Sequence, residues 1–342
     1  MGTGQLMNSR RVGSGARATA RAHANIALAK YWGKADVERN LPAVPSVSVT
    51  LDALATVTEL HFDETLQADA LLLDGIEVQG RGLQRVVRLL DEVRAIARLN
   101  CFARVTSRNT FPTGSGLASS ASGFAALAMA SMAAAGVALD RDVASDLARR
   151  ASASAARSIF GGFARLDAGA PGQSSLPARP IAPQDHWDIR IVVAVTSRGP
   201  KRVGSTEGMR HTAATSPYYD RWIEMSQAVA ERVQTAILSR DLVALGEAAE
   251  HSALSMHACA MAAQPPLLYL EPATLACVEA VRVLRERGVH AWVTIDAGPH
   301  VKVITSRDDA SRVAGHLAAV PGVLQAIESR VGPEASVEVT EA

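Results

Sequence analysis

Aromatic residues, cysteines and surplus charge are all scarce in this chain, and each shortage narrows what it can be. Aromatics make up 4% of the 342 positions, and the apolar mass is chiefly Ala, Val and Leu. That composition predicts closely packed helices and sheet rather than an aromatic-rich binding surface. The three cysteines, Cys101, Cys259 and Cys277, are odd in number and lack CxxC spacing, which excludes a disulfide frame and a zinc knuckle and predicts a reduced cytoplasmic protein. Lys and Arg total 35 against 34 Asp and Glu, so no basic footprint points to nucleic acid or anionic lipid. No apolar run approaches the roughly 18 residues needed to cross a bilayer. Even residues 123–139 are Ala-rich and too short, so a soluble chain with no membrane partner is expected. The first stretch, residues 1–20, is rich in Gly, Ser and Arg and lacks the apolar core of a secretory signal. It reads as a loose extension. A transit peptide is the alternative, but no amphipathic face accompanies Arg10, Arg11, Arg17 and Arg21.

What is present supports a sizeable core: 48% of residues are hydrophobic and 20% charged, and the length suggests two domains. Residues 47–51 and 55–61 are β-branched alternating runs separated by Asp52, which predicts a hairpin or neighbouring strands. Residues 83–99 carry Leu83, Val86, Val87, Leu90, Val93 and Ala97 at helical spacing. A short strand over 103–106, a Pro/Gly/Ser loop over 109–119 and an Ala-rich helix over 120–135 follow directly. A helix over 140–152 leads to Arg157, and residues 189–195 read as a buried strand. The polar stretch 196–216 reads as a loop at a domain boundary, giving domains over 21–200 and 201–342. Beyond it the pattern is mostly helical to about Arg287. The tail then reads as a helix from Ala273, strands over 292–295 and 301–304, a helix over 310–320 and a strand over 336–339. This is an α+β layout.

Pro112, Thr113, Gly114, Ser115, Gly116, Leu117, Ala118, Ser119, Ser120 and Ala121 place two glycines and several hydroxyls ahead of a helix. Free N–H groups and the helix dipole there attract an anion, so a triphosphate fits. No Lys-Ser/Thr pair follows, so this is not a Walker loop. The residues alone leave two readings open, a nucleotide cradle and a plain N-cap by Ser119 or Ser120.

The arrangement resembles the phosphate loop of the GHMP small-molecule kinases. Further segments are similar to signatures of the diphosphomevalonate decarboxylases: NIALAKYWGK over 25–34, NTFPT over 109–113, AARSIFGG over 155–162 and IDAGP over 295–299. Gly208-Met209-Arg210 before Thr215-Ser216-Pro217, and Met256-His257-Ala258 before Pro265-Pro266, add to the likeness. The segments occur in the family's order over nearly the whole chain. The resemblance implies a GHMP kinase fold, with an N-terminal ribosomal protein S5 domain 2-like α/β domain and a C-terminal ferredoxin-like α+β domain. It also implies a homodimer and ATP-dependent decarboxylation of (R)-5-diphosphomevalonate to isopentenyl diphosphate, with ATP and Mg²⁺.

Asp296, at the end of a β-branched run, is the carboxylate the resemblance assigns to the substrate's 3-hydroxyl; an Asx-turn capping the strand is its structural alternative. Arg157 would orient the substrate carboxylate, since a planar bidentate cation suits it better than Lys. Asn25 and Lys30 would set the hydroxyl and Asp296. Tyr31, Lys34, Ser152, Ala153, Ser154, Arg157 and Met209 match the substrate side. Ser107, Pro112, Gly114 to Ser120 and Ser205 match the ATP side, with Ser120 also a Mg²⁺ ligand and the ion held mostly by phosphates. His257 and His300 read as structural.

The pattern departs in three places. Ala151-Ser152-Ala153-Ser154 stands where the family has Gly-Ser-Gly-Ser, Val44-Pro45-Ser46-Val47-Ser48 replaces Asn-Ser-Ser-x-Ser, and His300 replaces Asn. An alanine at a position of positive φ would strain the loop. These changes fall on the substrate side, which keeps a 5-monophosphate or a related 3-hydroxy acid as the alternative ligand, whether for decarboxylation or 3-phosphorylation. A catalytically silent nucleotide-binding protein on the same scaffold is the second alternative.

Overall fold

The computed structural model describes residues 16–111, 119–199 and 202–340. The chain begins with β1 (Arg17–Ala29), the short strands β2 (Lys34–Asp36) and β3 (Leu41–Pro42), and the 18-residue β4 (Ser46–Asp63). Next come β5 (Ala70–Leu73), β6 (Ile76–Glu77), α1 (Arg81–Ala97) and β7 (Phe102–Asn109). They are followed by α2 (Ser119–Ala134), α3 (Arg141–Ala151), a 3₁₀ segment (Ala153–Ile159), β8 (Phe163–Leu166) and β9 (Arg179–Ala182). The remainder is β10 (Arg190–Val195), α4 (Ser205–Thr215), α5 (Tyr219–Ser239), α6 (Leu242–Met261), α7 (Pro272–Glu286), β11 (Ala291–Ile295), β12 (Val301–Thr305), α8 (Ala310–Ala318), β13 (Gln325–Arg330) and β14 (Ser336–Thr340). None of the described helices is long and apolar enough to cross a membrane.

The first sheet has the order β14-β1-β4-β7-β5-β6, with β8 and β9 continuing from β4. Ala18, Ala20 and Ala22 of β1 are fully buried, and α2 packs over β1 and β4. Small side chains on both surfaces let the helix backbone approach the sheet, and α2 is buried on nearly every face. Local signals set the helix ends. Asp140 caps α3 by accepting from the Asp142 and Val143 amides, and α7 starts with Pro272 inside a Glu271/Thr274 capping box.

The second sheet has the order β11-β12-β10-β13 with every pair antiparallel. With β10 counted as the first strand, this is the ferredoxin-like order. Ile191 and Val193 of β10 face α5 and α6 toward the first sheet, whereas Val192 and Ala194 face the core that α7 and α8 cover.

Four expectations are corrected. Residues 47–61 do not form a hairpin: they lie in the single strand β4, which pairs with β1 along its length and takes up irregularities at His23/Asn25 and Ala27/Ala29. β1 starts at Arg17, so the end of the stretch read as an extension is strand; residues 1–15 lie outside the described residues. Part of the polar loop is the helix α4, which buries Met209 and Thr212. The boundary expected near residue 200 also moves, because β10 already belongs to the second sheet and β14 returns to pair with β1.

Candidate active site

A cavity of about 950 Å³ opens where the two sheets meet. β1 ends there, and the NIALAKYWGK segment leaves the sheet along the cavity wall. Gly33 has φ 121°, and a Cβ on it would lie 2.3 Å from the Tyr219 hydroxyl oxygen, so the turn requires glycine.

Asp296 follows β11 directly. Its Oδ1 accepts from Lys30 Nζ at 2.6 Å, and its Oδ2 is 3.0 Å from Lys302 Nζ. The lysine side chains are 1% and 2% exposed, whereas Asp296 keeps 30% of its side chain open to the cavity. Burial alone would raise the Asp296 pKa, but the two ammonium groups outweigh it and hold the carboxyl far below its usual range. Burial lowers Lys30 to about 8 despite the attraction of Asp296, with Lys302 adding repulsion. Lys30 Nζ also donates to the Ala27 carbonyl, and its amide donates to Ser252 Oγ on α6.

Arg157 is held from three sides. Its Nη1 donates to Ser46 Oγ at 2.5 Å, its Nε to Ser48 Oγ at 3.0 Å, and its Nη2 to Asn25 Oδ1 at 3.3 Å. Asn25 Nδ2 donates to Ser158 Oγ and the Ser154 carbonyl, tying β1 to the 3₁₀ segment. Burial lowers the guanidinium to about 10, which leaves it charged at neutral pH. These groups fix the guanidinium plane before any ligand arrives.

The cavity wall also carries Tyr31, Lys34, Ser152, Ala153, Ser154, Ser205 and Met209, and Ser119 and Ser120 from the first turn of α2. The Tyr31 hydroxyl is buried and lacks a hydrogen-bond partner among the described residues, a donor left for a ligand. Lys34 Nζ donates to Asn40 Oδ1 at 2.6 Å and is lowered to about 8, first by burial and then by Arg85. The Ser152 and Ser154 hydroxyls are 3.3 Å apart. Neither Ala151 nor Ala153 is among the residues with positive φ, so the alanines that replace the family's glycines carry no strain from that source.

Two expectations fare differently. Ser107 does not line the cavity: it is buried in the sheet, 3.0 Å from the Thr58 hydroxyl. Pro112, Gly114, Ser115, Gly116, Leu117 and Ala118 lie outside the described residues. His300 is buried and its Nδ1 accepts from the Thr196 amide, as a structural histidine would. His257 lies in α6 behind Asp296, lowered to about 4 first by burial and then by Lys30, so it is neutral at physiological pH.

Sequence reasoning missed Lys302 and Ser252 as members of the site, and it put Ser46 and Ser48 on the substrate side without giving them a role. A lysine inside the β-branched run over 301–305 was the available signal for Lys302. Ser252 gave none, because its partner is the Lys30 amide, over two hundred residues away. The Ser46-Val47-Ser48 pattern pointed to the substrate side but not to Arg157 as the partner of its serines.

A deep cationic cavity between two α+β halves, with a helix N-terminus at one end and a clasped carboxylate at the other, defines a GHMP-type enzyme that handles phosphorylated small molecules. Residues 22–177 match the family described as diphosphomevalonate decarboxylase-like N-terminal domain, and residues 191–340 match the mevalonate 5-diphosphate decarboxylase C-terminal domain. The chain belongs to the diphosphomevalonate decarboxylase family. It is 34% identical to the diphosphomevalonate decarboxylase of Candida albicans, over 89% of this chain and 90% of that protein. It is 36% identical to the phosphomevalonate decarboxylase of Haloferax volcanii, over 87% of this chain and 90% of that protein. Among solved structures, MDDEF in complex with MVAPP, AMPPCP and magnesium superimposes with a TM-score of 0.87 at 38% identity, over 95% of this chain and 99% of that one.

Proposed function

We propose that this enzyme carries out the ATP-dependent decarboxylation of (R)-5-diphosphomevalonate, giving isopentenyl diphosphate, ADP, phosphate and carbon dioxide. The observation that carries this reading is that one cavity holds both the clasped Asp296 and the three-sided cradle of Arg157. Asp296 accepts the hydrogen bond of the 3-hydroxyl and aims its oxygen at the γ-phosphate. A carboxylate this far below its usual range is a weak base, which suits a loose phosphoryl-transfer transition state where the hydroxyl proton leaves late. Arg157 orients the substrate carboxylate, so that its C–C bond electrons feed the carbon from which phosphate departs. Tyr31, Lys34, Ser152 and Ser154 hold the diphosphate, with Ala153 and Met209 shaping the wall.

Ser119, Ser120 and Ser205 face the phosphates of ATP. Bound Mg²⁺ would supply charge neutralisation at those phosphates. Ser120, an exposed hard-oxygen donor at the start of α2, fits as its protein ligand. The same reading divides the chain between β9 and β10, with β14 returning to the first half. A homodimer in a reducing, cytoplasmic compartment completes the proposal.

The test follows ADP and carbon dioxide together, with ATP, Mg²⁺ and the 5-diphosphate, and with the 5-monophosphate beside it. Stoichiometric release from the diphosphate is expected; silence with both substrates would defeat the reading. The similarity to the Haloferax volcanii phosphomevalonate decarboxylase supports a second reading, in which the monophosphate is the preferred substrate.

A further inference from the structure

Asp296 carries a single negative charge, yet two buried lysines pair with it and a third buried cation, Arg157, interacts with it through space. Lys30 comes from the end of β1, Arg157 from the 3₁₀ segment and Lys302 from β12. His257, facing the group from α6, is neutral. Lys30 already neutralises the carboxylate, so a second buried ammonium adds desolvation cost and repulsion, a poor device for stability. Lys302 also does not line the cavity. Its stem stands in the centre of the second sheet, opposite Thr294 on β11 and Val193 on β10, and its Nζ lies 3.4 Å from the His300 carbonyl. The sheet therefore fixes where the ammonium stands.

A carboxylate held at one oxygen remains free to turn, because the terminal torsion of Asp is broad. Lys30 holds Oδ1 only. With Lys302 at Oδ2 as well, the carboxylate plane is set by β1 on one side and β12 on the other. We propose that Lys302 is the positioning residue of this site, which fixes the plane of the Asp296 carboxylate toward the substrate hydroxyl without touching substrate itself. The inference rests on the role given to Asp296 above.

The variant Lys302→Met keeps the length of the stem and removes the charge. The expected result is a drop in kcat of about 100-fold, the scale of a small misplacement of a reacting group. KM for ATP and for the diphosphate should stay within about threefold, and the thermal midpoint should be unchanged or higher, because a buried charge is gone. A second readout is the alkaline limb of the pH profile. Lys302 repels the Lys30 ammonium, so its removal should move that limb upward from about 8. Unchanged kcat, or a loss of kcat that merely follows a lower thermal midpoint, would overturn the proposal.

A stability cycle gives an answer even where activity is too low to measure. Asp296→Asn leaves the lysines uncompensated and should destabilise the protein, and adding Lys302→Met to it should restore part of the loss. A further loss in the double variant would mean that Lys302 serves the fold instead. Wild-type turnover in the parallel ADP and carbon dioxide assay is the control. Its absence would count against the functional reading, whereas a Lys302→Met enzyme as active as wild type would count against this one.

Discussion

Lys30 and Lys34 are both lowered to about 8, and burial is the first cause for each. Above that pH the free enzyme loses the ammonium that holds Asp296 Oδ1 and the Lys34 ammonium proposed to meet the substrate's diphosphate. Accordingly kcat/KM, which reports the free enzyme, should fall as pH rises through about 8. A bound diphosphate raises Lys34 by opposite charge, so kcat should hold to a higher pH than kcat/KM. Steady-state profiles check this, and a kcat/KM flat to about pH 10, the ordinary lysine range, would refute it. For stability the sign differs. Lys30 binds a proton less readily when folded, so its burial penalty applies below about 8 and is relieved as pH rises toward its unfolded value. At this scale the motif residues Asn25, Lys30, Arg157 and Asp296 were legible, because each belongs to a continuous segment with its own pattern. Of their partners, Ser252 and Lys302 were not, and Ser46 and Ser48 were legible only as part of an altered motif, since nothing local marks a serine as one that meets a distant guanidinium or amide.

At the scale of elements, the packing of helix on sheet is read best from glycines. Gly246 of α6 faces Trp292 of β11, and a Cβ there would lie 2.1 Å from the indole. Gly246→Ala should therefore destabilise by about 1–3 kcal/mol through overpacking. Gly315 in α8 is exposed with nothing within 4 Å of such a Cβ. Gly315→Ala should stabilise by about 0.5–1 kcal/mol, the usual helix-interior difference. Denaturant melts of the two variants check the opposite signs. The helices over 81–97, 119–134 and 272–286 were readable from periodicity and composition. β1 was not: RATARAHANIALA has the composition of a helix, and it is a strand because β4 and β14 pair with it and α2 needs its small side chains. Residues 47–61 of β4 read as a hairpin or neighbouring strands because Asp52 resembles a turn. Its Oδ1 instead accepts from Ser329 Oγ and the Arg330 amide, which ties the strand to β13.

For the whole molecule, one core cluster joins Ile26 and Val49 of the first sheet to Ile191 and Val193 of the second through Val229 and Ala249. The two halves therefore share apolar burial, and thermal unfolding should be a single cooperative transition. ATP with the diphosphate should raise its midpoint as one event, because the cavity takes residues from both halves. Calorimetry showing two separable transitions, only one of them moved by ligand, would refute this.

The order of motifs along the chain determined the family and named the candidates Asn25, Lys30, Arg157 and Asp296, because each motif answers a local chemical demand: an anion-binding helix start, a carboxylate at a strand end, an arginine beside small residues. Tertiary structure decided what surrounds those groups. Only the meeting of β1, β11 and β12 places two buried ammoniums on one carboxylate, and only the passage of β4 beside the 3₁₀ segment gives Arg157 its serines. Charge and hydrogen-bond environment depend on distance in space, and that distance is fixed by the packing of one sheet against the other and of β4 against the 3₁₀ segment, which brings together residues more than a hundred positions apart.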